Sequence, residues 1–561
     1  MIAIEQKLRA VAKSTENDEL IKRPSDAIAE RRSNELIIAL AGPIGSGINA
    51  VKERVEDSLR ASGYEVKHVK ISDYIRECIT SKLLRTVSGP LIPSGAEKYI
   101  QLQNAGNELR SFQPDILAEY SIRRIAELRT EQIKSEIGST TDYIPERTAY
   151  LIDQLKHHEE VALLRALYGN LFYLFGVFST SPRRENRLRA DGIQQNQISD
   201  LIERDRRQKD KNGQQLDKVL QLADFFIRND HSNADALKDQ VTRFIELIHG
   251  ANGITPTKEE YGMYAAYASG LRSACLSRQV GASIMNDDGV IIATGRNDVP
   301  KSGGGLYGPE CGKSDARCVK QEDAQCHNDL RKEMLVEEIR GVIHGEIKKV
   351  INDLIESEIS VELDKKKYKG LDLIDVAALS KKISDAAHSG TRLGGLIEFS
   401  RSIHAEMDAI VSLALNGGGS TKDATLFTYT FPCHNCARHV VAAGIKTVYF
   451  LEPYEKSLAL QLHSDSIAIE GAGDAKKEDS GGPVRFLHFE GVAPRQYLNM
   501  FTPSGERKDG KTGKAVKVNF RDADKKIPEY LDDYRQYELK VVEHLVQVIN
   551  ELRSMPLPSG S

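Results

Sequence analysis

The chain contains no tryptophan, 6% aromatic residues and seven cysteines in 561 positions. A groove that holds single-stranded nucleic acid needs aromatic platforms for the bases and a track of cations for the backbone. Neither is well supplied. Lys and Arg number 77 against 81 Asp and Glu, a formal charge of −4, so the basic excess that bulk nucleic-acid binders use is missing. Long apolar runs are missing too. The longest apolar patch, LYGNLFYLFGVF at 167–178, falls short of the ~20 residues a membrane helix needs. The opening MIAIEQKLRAVAKSTENDELIKRP mixes charges throughout, unlike a leader peptide. A cytoplasmic protein with no membrane segment is expected. Few cysteines, in odd number, suit reduced thiols and metal ligands better than a disulfide framework.

What is present is ordinary globular sequence, 40% hydrophobic and 28% charged, long enough for several buried cores. After a charged helical segment at 1–34, the run ELIIALA breaks into GPIGSG, and Val51, Val55 and Leu59 then recur at helical spacing. With the strand-like YEVKHVKIS behind it, this is the opening of a doubly wound α/β domain, expected over 35–248. HGANGITPT at 249–257 reads as a linker. Beyond it, VGASIMNDDGVIIATGRNDV predicts a hairpin turning at Asp-Asp-Gly. A second domain is expected over 249–520, with a helical insertion at 329–390 and an exposed loop at 470–483, and a helical tail over 521–561 that could serve an oligomer contact.

The chemistry concentrates in SIHAEMDAI (402–410) and YTFPCHNCARHVVAAG (429–444). Cys433 and Cys436 stand three apart at the expected start of a helix, where the dipole and free N–H groups favour thiolates. His404 offers a neutral third ligand, and three N/S ligands leave tetrahedral Zn²⁺ one open position, the mark of a catalytic site. Glu406, two residues past the histidine, is placed to move protons without binding metal. His-x-Glu followed by Pro-Cys-x-x-Cys, here with Pro432, is the signature of zinc nucleobase deaminases. A structural zinc knuckle or a redox pair would not need the glutamate.

Residues 255–310 and 401–463 resemble the deoxycytidylate deaminases, and with a phosphate-loop-like domain in front the chain is similar to the bacterial anti-phage deoxycytidylate deaminases of the AvcD/DcdV group. The resemblance implies a nucleotide-kinase-like parallel-sheet domain followed by a three-layer α/β/α deaminase domain. It implies hydrolysis of dCMP, and in this subgroup dCTP, to the uracil nucleotide and ammonia. Water attacks C4 while Glu406 protonates N3 and then the leaving amine. It further implies depletion of dCTP against phage, restraint by a partner small RNA, inhibition by dTTP and assembly into oligomers, commonly hexamers. The family's Gly-x-Asn turn, which contacts the deoxyribose, maps onto Gly295 and Asn297.

Arg278 is either a phosphate partner or a strand-end surface arginine, and Tyr454 either a wall of the base pocket or ordinary core. Some deoxycytidylate deaminases carry an extra structural zinc near the loop that here holds Cys311, Cys318, Cys326 and His327; the alternative is three unligated thiols. A deaminase acting on bases in RNA or DNA, a bifunctional kinase-deaminase and a nucleotide-sensing scaffold are the competing functions.

The glycine loop departs from its motif. Gly42, Gly45, Ser46 and Gly47 keep the frame, but Ile48 and Asn49 stand where Lys and Ser or Thr are required, so phosphoryl transfer should be crippled. Backbone N–H groups could still cradle phosphate, which predicts a regulatory nucleotide site. Asp153 ends a strand there, and Arg183, Arg184 and Arg187 are either lid arginines or a solvated helix face.

Overall fold

The computed structural model describes residues 23–85, 87, 89–136, 145–206, 213–230, 234–359, 375–452, 457–469, 482–503 and 505–554. Tyr454 and nearly all of the expected loop at 470–483 lie outside the described residues. The chain divides into two compact units, one of Met1–Ser179, Arg183–Ile254 and Thr502–Ser561, the other of Thr180–Pro182 and Thr255–Phe501. The α/β class expected from the sequence is the class observed.

In the first unit, β1 (Leu36–Ala41), β2 (Glu65–Lys70), β3 (Thr148–Asp153), β4 (Phe172–Phe178) and β5 (Phe225–Arg228) lie in the order β5-β4-β1-β3-β2, all parallel. Every residue of β1 is buried, as a strand in the middle of a parallel sheet must be when helices cover both faces. The glycine loop follows at its carboxyl end and leads into the helix Ile48–Ala61.

The tail falls in this unit, whose last segment is Thr502–Ser561. Leu531–Ser554 is a helix with Leu531, Tyr534, Glu538, Leu545 and Leu552 buried, a stripe at helical spacing. Its Glu538 meets buried Arg129, whose Nε and Nη2 also fork onto the Glu35 carboxylate at 2.7 and 2.9 Å. Tyr534 and Tyr150 donate their hydroxyls to Glu35 at 2.6 and 3.0 Å, and Tyr168 donates to Glu538 at 2.8 Å. Such a network survives burial only because nearly every charge in it is paired and hydrogen-bonded.

The second unit is built on β6 (Gly281–Met285), β7 (Ile291–Arg296), β8 (Thr425–Thr430), β9 (Thr447–Glu452), β10 (Ile467–Ile469) and β11 (Val484–His488), ordered β10-β11-β9-β8-β6-β7. The β6–β7 hairpin and the β6–β8 pair are antiparallel, and the remaining pairs parallel. Alternation along β6 separates two helical layers. Ala282 and Ile284 share a core with Ala405, Ala409, Ala437 and Val440, while Ser283 on the other face donates to the Gly262 carbonyl of the helix Lys258–Gly270. Helices therefore cover both faces, in the three layers expected. The insertion supplies the helices His327–Ile359 and Val376–Gly390.

Candidate metal centre

Two helices present their amino ends to one point. His404 is the residue before the helix Ala405–Asn416, and Cys433 is the residue before His434–Ala442, where its sulfur accepts the Cys436 N–H. The Sγ atoms of Cys433 and Cys436 each lie 3.3 Å from His404 Nδ1. Zinc at its usual bond lengths to sulfur and nitrogen sets such ligand atoms about 3.5 Å apart. The donor set fits a tetrahedral zinc. Among the described residues this is the one group of three or more His, Cys, Asp or Glu whose ligand atoms all come within 4.8 Å of one another.

The electrostatics point the same way. Hydrogen bonds from Cys436 and His404 push the Cys433 thiol well below its ordinary value, and its hydrogen bond with His404 holds the imidazole up to about 9. A buried thiolate among helix amino ends is a seat for a cation. Glu406 is buried in the first turn after His404. Burial raises its carboxyl above the usual range, with His404 pulling the other way.

Gly295 determines how close this machinery comes to the sheet. A Cβ there would lie 2.2 Å from the Ala405 carbonyl oxygen and 2.4 Å from the Ala409 nitrogen. Only a residue without a side chain lets the His404–Glu406 helix rest on β7. Asp408 ties the same helix down by accepting the Arg296 N–H at 2.9 Å.

The metal group opens onto a cleft whose wall includes His404, Glu406, Cys433, Asn297 and Arg278. Asn297 lines it with its amide engaged, accepting from Val280 N and donating to the Arg278 carbonyl, both at 2.7 Å. Arg278 is ion-paired with buried Glu452. The rest of its side chain stays half exposed at the cleft wall. Asn328, Ile397, Ser400, Ser402, Thr430 and Phe431 also line the cleft. Sequence reading missed all six. Ser402, Thr430 and Phe431 stood in the quoted motifs and could have been named; Asn328 and Ile397 flank the expected insertion, where no spacing marks them.

The second metal set does not assemble. Cys318, Cys326 and His327 line a smaller cavity with Cys275, but His327 Nε2 lies 2.8 Å from Gln321 Oε1 and Cys311 is not in the wall. The described residues hold no second group at ligand spacing.

In the first unit the glycine loop is gripped by its own chain. Ile44 N donates to Asp205, Lys156 donates to the Gly42 carbonyl, Arg184 to that of Ile44 and Arg187 to that of Gly45. Asn229 donates to the carbonyls of Ser46 and Gly47. Arg184 and Arg187 are therefore committed to the loop and not to a solvated face. Asn49 is exposed at the start of the helix. Asp153 pairs with Lys52 at 2.9 Å.

Residues 256–452 match the cytidine and deoxycytidylate deaminase zinc-binding region. That match encloses all three ligands, Glu406 and Gly295. Over 55 residues the chain is 42% identical to ComE operon protein 2 of Bacillus subtilis and 40% identical to the deoxycytidylate deaminase of Enterobacteria phage T2, in each case 10% of this chain and 29% of the relative. The chain thus spans less than a third of the curated relatives it matches. The dCMP deaminase of cyanophage S-TIM5 aligns over 42% of this chain and 100% of its own at 15% identity, with a TM-score of 0.20. A Thermotoga maritima diaminohydroxyphosphoribosylaminopyrimidine deaminase/reductase aligns over 44% of this chain and 39% of its own at 14% identity, with a TM-score of 0.19. The deaminase zinc-binding region supplies zinc as the cofactor of the second unit. No described helix is long and apolar enough to cross a membrane.

Proposed function

We propose that the second unit hydrolyses the exocyclic amine of deoxycytidine nucleotides, dCMP and dCTP, releasing ammonia and the uracil nucleotide. The observation that carries this reading is the conjunction of a three-ligand metal group with Glu406, in the wall of one cleft. Bound zinc supplies a Lewis acid that lowers the pKa of water to about 7. Glu406 takes a proton from the attacking water and delivers it to N3 of the cytosine; once the hydroxyl has added at C4, the same carboxylate takes the C4 hydroxyl proton and passes it to the amine, which leaves as ammonia while the C4 carbonyl forms. Its burial keeps solvent from competing for the proton. Phe431 and Ile397 give the base apolar walls, and Asn297 holds the Arg278 and Val280 backbone in shape beneath it.

The setting follows from the resemblance in the sequence. In a bacterial cell the enzyme drains dCTP from a replicating phage, is held back by a small RNA and by dTTP, and works as a homo-oligomer, with the hexamer the first assembly to look for. Chromatography of dCMP, dCTP and a cytosine-containing oligonucleotide after incubation, with and without dTTP, tests the reading. Conversion of the free nucleotides with ammonia release is expected. Deamination of the oligonucleotide alone would overturn it in favour of a polynucleotide deaminase.

A further inference from the structure

The loop Gly42–Gly47 lacks the lysine its motif demands, yet an ammonium group is there. Lys156, just beyond β3, places Nζ 2.8 Å from the Gly42 carbonyl oxygen. The same Nζ lies 2.8 Å from Asp205 Oδ1, and the other oxygen of that carboxylate accepts the Ile44 N–H at 2.6 Å. In a phosphate loop it is the bound anion that takes backbone N–H groups and the lysine together. Here a carboxylate from the end of the helix Gln195–Arg206 takes both. Asp205 is 2% exposed. The Ser46 hydroxyl is independently marked: it is sealed from solvent, has no hydrogen-bond partner and points back over Gly42, where a Cβ would meet its Oγ at 2.7 Å. A buried hydroxyl left without a partner is costly, and a phosphate oxygen at this place would satisfy it.

We propose that this loop is a latent oligophosphate site, with Lys156 standing in for the missing motif lysine and Asp205 as an internal anion that must leave before phosphate enters. Arg184 and Arg187 donate to the loop's Ile44 and Gly45 carbonyls, so the frame stays formed while Asp205 occupies the seat. The proposal stands apart from the deaminase reading, because every residue in it belongs to the first unit.

Isothermal titration of the full chain with inorganic tripolyphosphate tests it. Asp205→Asn keeps the side chain's shape but removes its charge, and is expected to tighten binding about tenfold or more, the equivalent of one charge-assisted hydrogen bond. Lys156→Met in the same background is expected to abolish the gain. Equal affinity of Asp205→Asn and the unaltered chain, or a gain that survives Lys156→Met, overturns the proposal. Hydrogen exchange on the unaltered chain gives a second reading that needs no variant to fold. Saturating tripolyphosphate should slow the amides of 42–48 and quicken those of 201–206, and no change in either also overturns it.

Discussion

Gly295 and Ala405 touch backbone to backbone, so closely that even a methyl group on Gly295 would lie 2.2 Å from the Ala405 oxygen. Ala405 sits between His404 and Glu406, so this contact sets where the imidazole and the acid stand. Gly295→Ala should therefore push the helix outward, at the cost of overpacking of about 1–3 kcal/mol. Expected together are a lower thermal midpoint, less than one zinc per chain at the centre, and a loss of deamination larger than the loss of folded protein. Full activity with intact zinc would mean that the helix yields without moving its ligands.

Glu406→Gln should keep the metal and lose the reaction. Removing a proton carrier typically costs about 10²–10⁴ in rate, so ammonia release should fall by that much while mass spectrometry still counts the zinc.

Chelation separates zinc from the rest of the fold. Dialysis of the intact protein against a strong chelator should abolish turnover, and zinc should restore it more fully than magnesium, because two thiolates and an imidazole select a soft cation. Activity that persists after complete zinc removal would contradict the metal assignment.

His249 makes the first unit acid-sensitive. Its ring is buried, with Nδ1 2.7 Å from the Ile245 carbonyl oxygen and Nε2 2.8 Å from the Tyr64 hydroxyl, and burial lowers its pKa from 6.5 to about 4. Between those values the unfolded chain takes up a proton that the folded chain refuses. The stabilisation is present above about 6.5 and is lost as the pH falls through about 4, about 3 kcal/mol in all. Urea melts at a series of pH values should show this slope, and His249→Gln should flatten it.

Arg129→Met strands two buried carboxylates, Glu35 and Glu538. A loss of about 3–5 kcal/mol is expected, read as a fall in the urea midpoint.

The metal centre was legible in the sequence because the chemistry is local. His404 and Glu406 sit two apart on one helix turn, Cys433 and Cys436 three apart on another, and the strand β8 between them fixes their meeting. The parallel core of the first unit was legible for a similar reason, since ELIIALA is apolar at every position a doubly covered strand buries. What escaped depended on contacts between residues far apart in the chain. Arg278 was legible as a candidate phosphate partner, but its ion pair with Glu452, 174 positions away, was not. Asn297 was legible as a candidate sugar contact, but the backbone bonds from Val280 and to Arg278 that fix its amide were not. The thiols at 311, 318 and 326 looked like a metal set by composition, but among the described residues they form no group at ligand spacing. Lys156 and Asp205 carry no motif at all; only the fold puts them on the glycine loop.

The tail helix has a consequence for how the molecule is made. Arg129, Glu35 and Tyr150 wait for Tyr534 and Glu538, which are made after Phe501, whereas everything the second unit packs together has been made by then. The half that carries zinc can close while its neighbour in sequence still has a charged hole at its centre. Until the tail helix docks, Arg129 has Glu35 but not Glu538 to answer its charge.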